Sequence, residues 1–278
     1  RDFRLVVSIS IPGNPEDLAR LDELLLLRDS ARATLHAAGF PSRAWTAADL
    51  INWVSALIDP HRQTGDCVPL TYDEGRELRD QVIDRATRMR IRQSGIDLFN
   101  SAEPRASELR LLSVRSLPPR FALWNMGSLI GDLYQNTLQY PCPFLLTLGV
   151  HVLDPEATRN WAYLKAARAT TNATSYMARF LPDLQERKSD WDIVLKAMDD
   201  GQQLVDLYHQ VALFAPSEEI TRAEQAARAI FRARAFELTS DTMMMTQALI
   251  ASLPMTLSVP FHGDLKRMKR VTTKTSSN

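Results

Sequence analysis

The chain has 278 residues, of which 45% are apolar, so it can bury one large core or two smaller ones. Its 33 basic and 33 acidic residues cancel, which excludes a global field that would draw the chain to nucleic acid or to an anionic bilayer. Any such attraction must be local.

The longest apolar run, at residues 140–153, does not predict a membrane-spanning helix. Pro141, Pro143 and Gly149 interrupt it, and it is shorter than the ~20 apolar residues that a spanning helix needs. The first residues of the chain alternate polar and apolar side chains and lack the continuous apolar segment of a signal peptide. We therefore expect neither a spanning helix in this run nor a signal peptide at the start.

Residues 1–60 predict two strands and two helices, which we name the first αβ segment. The alternation of apolar and polar side chains at residues 3–11 is typical of a half-buried strand. A long helix should then begin near Asn14 and end at Gly39, since these residues favour helix starts and stops. Residues 40–45 predict a short extended piece, and Thr46 is a suitable N-cap for a second helix.

Residues 61–142 form a predicted β-rich middle section. Alternating side chains at residues 87–92, followed by extended stretches at 96–99 and 108–116, predict an antiparallel hairpin or meander. Residues 121–135 are predicted to be helical, because their apolar side chains recur at helical spacing.

Residues 143–254 are predicted to form a second αβ segment. It begins with a strand at residues 144–152, after which Asp154 opens a long helix lined by Trp161 and Leu164.

The second αβ segment then repeats the order of the first. A strand at residues 204–214, a helix from Ser217, an extended piece at 235–238 and a helix capped by Asp241 follow one another. Side-chain identity between the two segments is slight, so an internal duplication stays open. The predicted fold class is α+β, a mixed sheet with helices packed on it, with two strand-helix-strand-helix units flanking an antiparallel β meander.

Motifs for chemistry are absent from the sequence. No glycine lies in a G-x-x-x-x-G-K-[ST] phosphate loop, and Gly127 and Gly131 have the spacing of residues that allow close packing. The five histidines show no i, i+4 pair, and Cys67 and Cys142 lack zinc spacing and are interpreted as reduced structural thiols. We therefore predict no catalytic, cofactor-binding or metal-binding residue in this chain.

The segment at residues 255–278 is locally basic. Five cations face the single anion Asp264 there: Lys266, Arg267, Lys269, Arg270 and Lys274. Three interpretations stay open, namely a solvated helix face, a contact for nucleic-acid or lipid phosphates, and a linker that docks on a neighbouring subunit. So few charges would bind nucleic acid only weakly at physiological salt, and we expect no strong nucleic-acid binding.

Four short motifs together resemble one protein family. They are LPPRFALWNMGSLIGDLYQN at residues 117–136, CPF at 142–144, SLPM at 252–255 and the closing LKRMKRVTTKTSSN. Their order and spacing are similar to the N-terminal half of the TraC family, the conjugative-transfer ATPases of F-type type IV secretion systems and relatives of the VirB-family ATPases. The resemblance implies a cytoplasmic ATPase, peripheral to the inner membrane of a Gram-negative bacterium and hexameric, that energises pilus assembly and DNA transfer.

In that family the nucleotide-binding motifs come after the position where this chain ends, so ATP and Mg²⁺ are expected for a C-terminal domain that this sequence lacks. The resemblance therefore implies a non-catalytic docking and assembly region that meets inner-membrane and scaffold components of the secretion channel. Residues 255–278 would be its basic linker toward the ATPase domain. The candidate contact residues are Trp124, Lys266, Arg267, Lys269 and Arg270. The alternative is a nucleic-acid-binding module that uses the basic segment.

Overall fold

The computed structural model describes residues 3–63, 67–83, 85–101, 103–118, 123–132, 134–135, 138–181 and 183–275. Contacts between residues divide the chain into two compact units. The larger unit comprises Arg1–Thr147 and Gln210–Gly263, and the smaller unit comprises Leu148–His209 and Asp264–Asn278. Each unit therefore consists of two separate stretches of sequence, whereas each segment predicted from the sequence is one continuous stretch.

The described part of the chain contains α-helices, short 3-10 helices and strands. The α-helices are α1 (Leu18–Ala37), α2 (Ala47–Ile58), α3 (Pro60–Gln63), α4 (Leu78–Val82), α5 (Pro155–Thr174), α6 (Asp183–Asp199), α7 (Ile220–Arg232), α8 (Met245–Ser252) and α9 (Val259–Arg267). The strands are β1 (Thr87–Ile91), β2 (Ile96–Asn100), β3 (Glu103–Ser116), β4 (Phe144–Val152), β5 (Leu204–Pro216), β6 (Glu237–Ser240) and β7 (Thr272–Thr275). The 3-10 helices are Leu123–Ile130 and Tyr176–Arg179.

Within the described residues the strands form a seven-stranded sheet with the order β1-β2-β3-β5-β4, while β6 pairs with β3 and β7 with β5. The registers of β1–β2, β2–β3, β3–β5, β3–β6 and β5–β7 are all antiparallel. The register of β3 with β5 runs from Ser107 opposite Pro216 to Ser113 opposite Gln210, with Leu109 facing Phe214 and Leu112 facing Val211. Antiparallel neighbours of this kind need only short connections or a helix that returns the chain, which suits an α+β fold.

One hydrophobic core lies between α7 and one face of the sheet in the larger unit. Val211, Leu213 and Ala215 alternate along β5 and pack with the buried side of α7. That side presents Ile220, Ala223, Ala227, Ile230 and Phe231, which recur at helical spacing. Phe231 and Phe236 also form an edge-on aromatic pair with ring centroids 5.7 Å apart.

A second core, also in the larger unit, covers the opposite face. Ala212 and Phe214 of β5 point there, because successive residues of a strand face opposite sides of a sheet. They pack with Leu109 and Leu111 of β3 and with Met245, Ala248 and Leu249 of α8. The middle of β5 is thus buried on both faces, and its continuous apolar run follows from that position.

An ion-pair network joins α7 to β3 in the larger unit. Arg110 of β3 donates to Glu224 of α7 at 2.9 Å and to Glu108 of its own strand at 2.6 Å. Arg228 donates to Glu224 at 2.7 Å and to the backbone oxygen of Leu238 at 2.5 Å. Burial raises the pKa of Glu224, but the hydrogen bonds from the two arginines outweigh it and hold the pKa below 4.5.

The α+β class and much of the predicted order are confirmed. β1, β2 and β3 form the antiparallel meander, and β5, α7, β6 and α8 form the last strand-helix-strand-helix unit. Thr46 caps α2 through a capping box with Asp49, and Asp154 caps α5 with hydrogen bonds to two backbone N–H groups. Gly39, at φ +83°, follows the end of α1 as expected for a helix stop.

Several local predictions are wrong, and α1 begins at Leu18 with Asp17 as its N-cap instead of near Asn14. Residues 3–11 and 40–45 form no strand, and Leu5 is 80% exposed. Period-two alternation alone does not make a strand, which also needs a hydrogen-bonded neighbour. Asp241 does not cap α8, whose N-cap is Met244. The buried carboxylate of Asp241 instead accepts a 2.6 Å hydrogen bond from the Ser113 hydroxyl of β3.

Truncation of the central strand should destabilise the fold strongly. We expect Leu213→Ala to lower the free energy of unfolding by about 2–5 kcal/mol, because the side chain of Leu213 on β5 is fully buried against α7. Leu26→Ala is the matched control, since Leu26 is 72% exposed, and should cost less than about 0.5 kcal/mol. Urea unfolding followed by circular dichroism measures both, and equal costs would contradict this packing.

Glu224→Gln should destabilise the chain in a pH-dependent way. The lowered pKa of Glu224 means that its stabilisation is fully present above the ordinary value of 4.5 and is lost as pH falls through the folded pKa. At pH 7 we expect a cost of about 1–3 kcal/mol that disappears in strong acid. Glu237→Gln, at an exposed position of β6, should show no such change. Urea midpoints of both variants across pH test this, and a pH-independent cost would refute it.

Candidate interaction surface

The basic segment does not continue as one helix. In the smaller unit, Lys269 and Arg270 donate their backbone N–H groups to the oxygens of Lys266 and Leu265, at 3.0 and 2.9 Å. Lys269 has φ +56°, so this pair of bonds is a Schellman ending with lysine at the position that glycine usually takes. After this ending the chain continues into β7, which pairs with β5.

Lys266 is tied to a buried carboxylate. Its Nζ lies 2.7 Å from Oδ2 of Asp206, a β5 residue of the smaller unit whose side chain has no exposed area. The hydroxyl of Thr273, opposite Asp206 in the β5–β7 register, donates to Oδ1. Because a buried charge is costly without partners, these contacts give Lys266 a structural role in holding the C-terminal segment.

The remaining cations differ in their surroundings. Arg267 is 80% exposed and pairs with Asp264 one turn earlier, a contact that contributes little at a solvated surface. Lys269 is exposed and Arg270 is half-buried. The structure therefore brings the predicted cations together in one short stretch, but Asp206 and Asp264 offset part of their charge. Sequence reasoning counted Asp264 and missed Asp206, which lies about 60 residues away.

Trp124 lies in the 3-10 helix Leu123–Ile130, but its side chain falls outside the described residues. Its role as a contact residue stays a prediction. Close packing is visible at Gly131, which has φ +103° and where an added Cβ would lie 3.0 Å from the backbone oxygen of Leu138. At Gly127 an added Cβ would meet nothing within 4 Å, so the close-packing interpretation holds for Gly131 only.

A cavity of about 340 Å³ in the larger unit adjoins this 3-10 helix. Among its described lining residues are one cation, Arg234, and one carboxylate, Asp132. Asp132 already accepts the backbone N–H groups of Tyr134 and Gln135 at 2.8 and 3.2 Å. A triphosphate needs converging cations or N–H groups, and a carboxylate repels it. The lining therefore does not fit ATP with Mg²⁺, and we assign no nucleotide chemistry to it.

The α5–α6 hairpin of the smaller unit has its small side chains inside. The buried residues of α5 are Thr158, Ala162, Ala166 and Ala173, and α6, which is described in full, has none. Small residues at this spacing allow two helices to approach closely. Trp161 and Leu164, the large apolar residues that the sequence places along this helix, therefore lie outside its buried side. The row of alanines at i, i+4 was the sequence signal that could have found the buried side.

Large apolar side chains of the hairpin point outward. Leu164 of α5 and Ile193 of α6 are each 63% exposed, and Trp161 is 44% exposed. Trp161 packs edge-on against Trp191 of α6 with ring centroids 5.4 Å apart, and the Lys165 ammonium lies 5.7 Å from the Trp161 ring. We name Trp161, Leu164, Lys165 and Trp191 the hairpin surface, whereas Ile193, two residues after Trp191, lies on another side of α6. Exposed aromatic and aliphatic groups beside a cation are typical of interaction sites.

Two buried titratable groups outside this surface, His209 and Cys142, have little chemical reactivity. Burial lowers the pKa of His209 on β5 to about 4, so its imidazole is neutral at pH 7. Burial also raises the pKa of Cys142 to about 11, so its thiol is protonated and is a weak nucleophile. Among the described residues, no three His, Cys, Asp or Glu side chains form a group that could hold a metal ion.

The contact between Lys266 and Asp206 should contribute to stability. We expect Lys266→Met to lower the free energy of unfolding by about 1–3 kcal/mol, because it leaves the Asp206 carboxylate buried with one partner fewer. Arg267→Met, a neighbouring and exposed control, should cost less than about 0.5 kcal/mol. Urea denaturation compares the two variants, and an Arg267 variant as unstable as the Lys266 variant would contradict the assignment.

Within the described ranges, no helix is both long and apolar enough to span a bilayer. The family described as TraC protein matches residues 1–257. Protein TraC of Escherichia coli (strain K12) is 24% identical over 259 residues, which cover 91% of this chain and 30% of that protein. The chain thus spans about three tenths of the length of this relative. The family match extends over most of the chain and includes most of both units, and so the chain belongs to the TraC family.

Proposed function

We propose that this chain is a non-catalytic docking and assembly region of a conjugative type IV secretion ATPase. Membership in the TraC family associates the chain with conjugative type IV secretion. The proposal includes a cytoplasmic location peripheral to the inner membrane, a hexameric parent protein, and a role of that parent in pilus assembly and DNA transfer. ATP and Mg²⁺ would act in a part of the parent protein outside these 278 residues.

The observation that supports the docking role is the exposure of large apolar groups on the hairpin surface. Trp161 and Leu164 are large apolar groups that gain most when a partner removes them from water. They stand on α5, which packs against α6, so little conformational entropy is lost when a partner orders them. The partner would be an inner-membrane or scaffold protein of the secretion channel.

The chemistry of the hairpin surface indicates what this partner presents. Lys165 lies beside Trp161, and Arg168 is exposed one turn further along α5. An apolar depression with acidic residues at its rim would complement both the aromatic groups and the cations. The exposed cation Lys269 and the contact candidate Trp124 stay predictions of additional contacts in this docking role.

Replacement of Leu164 by glutamate tests the proposal in the intact protein. The charge would be desolvated at the proposed interface, so we expect DNA transfer between mating cells to fall by at least about tenfold. Recovery of the protein with the inner-membrane fraction should fall as well, but only in cells that also contain the channel components. Because Leu164 is 63% exposed, the fold should survive, as circular dichroism can verify.

Val68→Glu is the control for this experiment, since Val68 is 82% exposed and lies in the larger unit. It should leave both the transfer frequency and the membrane recovery unchanged. A folded Leu164→Glu protein with normal transfer and normal recovery would overturn the docking role of the hairpin surface.

A further inference from the structure

Helix α1 in the larger unit has an unusual environment for its composition. Leucine occurs on all its sides, yet none of its twenty residues, all of which the structure describes, is buried. Leu18 and Leu26 are 75% and 72% exposed. A helix with leucine on several sides normally packs against other elements, and an isolated helix of this length is only marginally stable in water. We therefore expect a partner surface to cover this helix.

Three of the exposed leucines share one face in the first half of α1. Leu18, Leu21 and Leu25 follow one another at steps of three and four residues, so they lie side by side along the helix. The same face continues through Arg28 and Arg32, which lie three and seven residues after Leu25. One half of this face is thus apolar, and the other half carries two long cationic side chains with apolar stems.

The charges of α1 are also divided between its two halves. Residues 17–25 contain three carboxylates and one arginine, whereas residues 26–37 contain two arginines, one carboxylate and one histidine. The residues concerned are Asp17, Arg20, Asp22 and Glu23 in the first half, and Arg28, Asp29, Arg32 and His36 in the second. A surface that is acidic at one end and basic at the other is complementary to its own reversed copy.

We propose that α1 is a self-association site that packs antiparallel against α1 of a second copy of this chain. With the two-fold axis at Leu25, Asp22 of one copy lies beside Arg28 of the other, and this pair occurs twice by symmetry. Leu25 packs on its counterpart, and Leu18 packs on the aliphatic stem of Arg32 of the second copy. A parallel arrangement would instead place Asp22 on Asp22 and Arg28 on Arg28, which repel each other.

A bilayer surface fits α1 less well than a second copy does. Asp22 and Asp29 flank the leucine face, and anionic lipid headgroups repel carboxylates. One helix pair also buries less than the ~1,200 Å² of a standard interface, so the association should be weak, with a Kd no tighter than about 1 µM. This site is distinct from the hairpin surface and does not depend on the docking role.

Sedimentation equilibrium of the 278-residue chain over a wide range of concentrations tests the proposal. The unmodified chain should show a concentration-dependent monomer–dimer equilibrium. Leu25→Glu should raise the dissociation constant by at least about tenfold, because it brings two carboxylates together at the two-fold axis. Leu26→Glu, on another side of α1, should leave the equilibrium unchanged.

Charge reversal tests the antiparallel register. Asp22→Arg and Arg28→Asp should each weaken dimerisation, because each creates two like-charged pairs across the axis. The double variant exchanges the two charges and should restore the dimer. Failure of the double variant to recover any association would overturn this register.

Engineered cysteines supply an independent measure of the register. Leu25→Cys should form an interchain disulfide under mild oxidation, whereas the two copies of Leu18→Cys should not, since they would lie about 20 Å apart. The unmodified chain controls for crosslinks through Cys67 and Cys142. Equal crosslinking at both positions would contradict the antiparallel arrangement.

Two further results would overturn the proposal as a whole. One is a chain that stays monomeric at every concentration, and the other is self-association that Leu25→Glu leaves unchanged. Flotation with phosphatidylglycerol vesicles tests whether a bilayer surface, instead of a second copy of the chain, covers the α1 face. A monomeric chain that binds these vesicles and loses binding in Leu25→Glu would assign the α1 face to a membrane surface and refute the dimer. None of these readouts involves the hairpin surface, so they can fail independently of the docking role.

Discussion

The antiparallel pairing of β3 with β5 is the constraint on which the larger unit depends. Along β5, Val211 and Leu213 face α7, while Ala212 and Phe214 face α8. Both cores therefore use the same short stretch of strand, and one register sets both. A slip of one residue would exchange the two faces and put each apolar set against the wrong helix. The near-complete burial of this stretch follows from its central position in the sheet.

One buried and one partly buried carboxylate join parts of the chain that are far apart in sequence. Glu224 of α7 meets Arg110 of β3 across 114 positions, and Asp206 of β5 meets Lys266 across 60. In each case the carboxylate is held by charged groups that reach it from another element. Such contacts specify which segments lie together, because the carboxylate is costly to bury elsewhere. For the basic segment, this means that Lys266 stabilises the smaller unit in addition to being available at its surface.

Apolar side chains on the outside of the molecule carry the functional hypotheses. In α5 the buried stripe consists of alanine and threonine, and the larger groups Trp161 and Leu164 face solvent. In α1 no residue is buried at all, although leucine is its commonest residue. Exposing large apolar groups on ordered helices costs solvation free energy that only a partner can recover. The two surfaces therefore suggest two different partners, a component of the secretion channel and a second copy of the chain.

The sequence by itself determined the α+β class, the β1–β3 meander, the long helices α1 and α5 and the N-caps of α2 and α5, because periodicity and capping are local properties. The order of motifs also identified the family. Only the tertiary structure decided that residues 3–11 form no strand, that Asp206 is the partner of Lys266, and that Trp161 lies outside while Ala162 lies inside. A strand needs a neighbour, a buried charge needs a counter-ion, and a helix has a buried side only where another element packs on it. Each of these depends on residues far away along the chain, which local patterns do not encode.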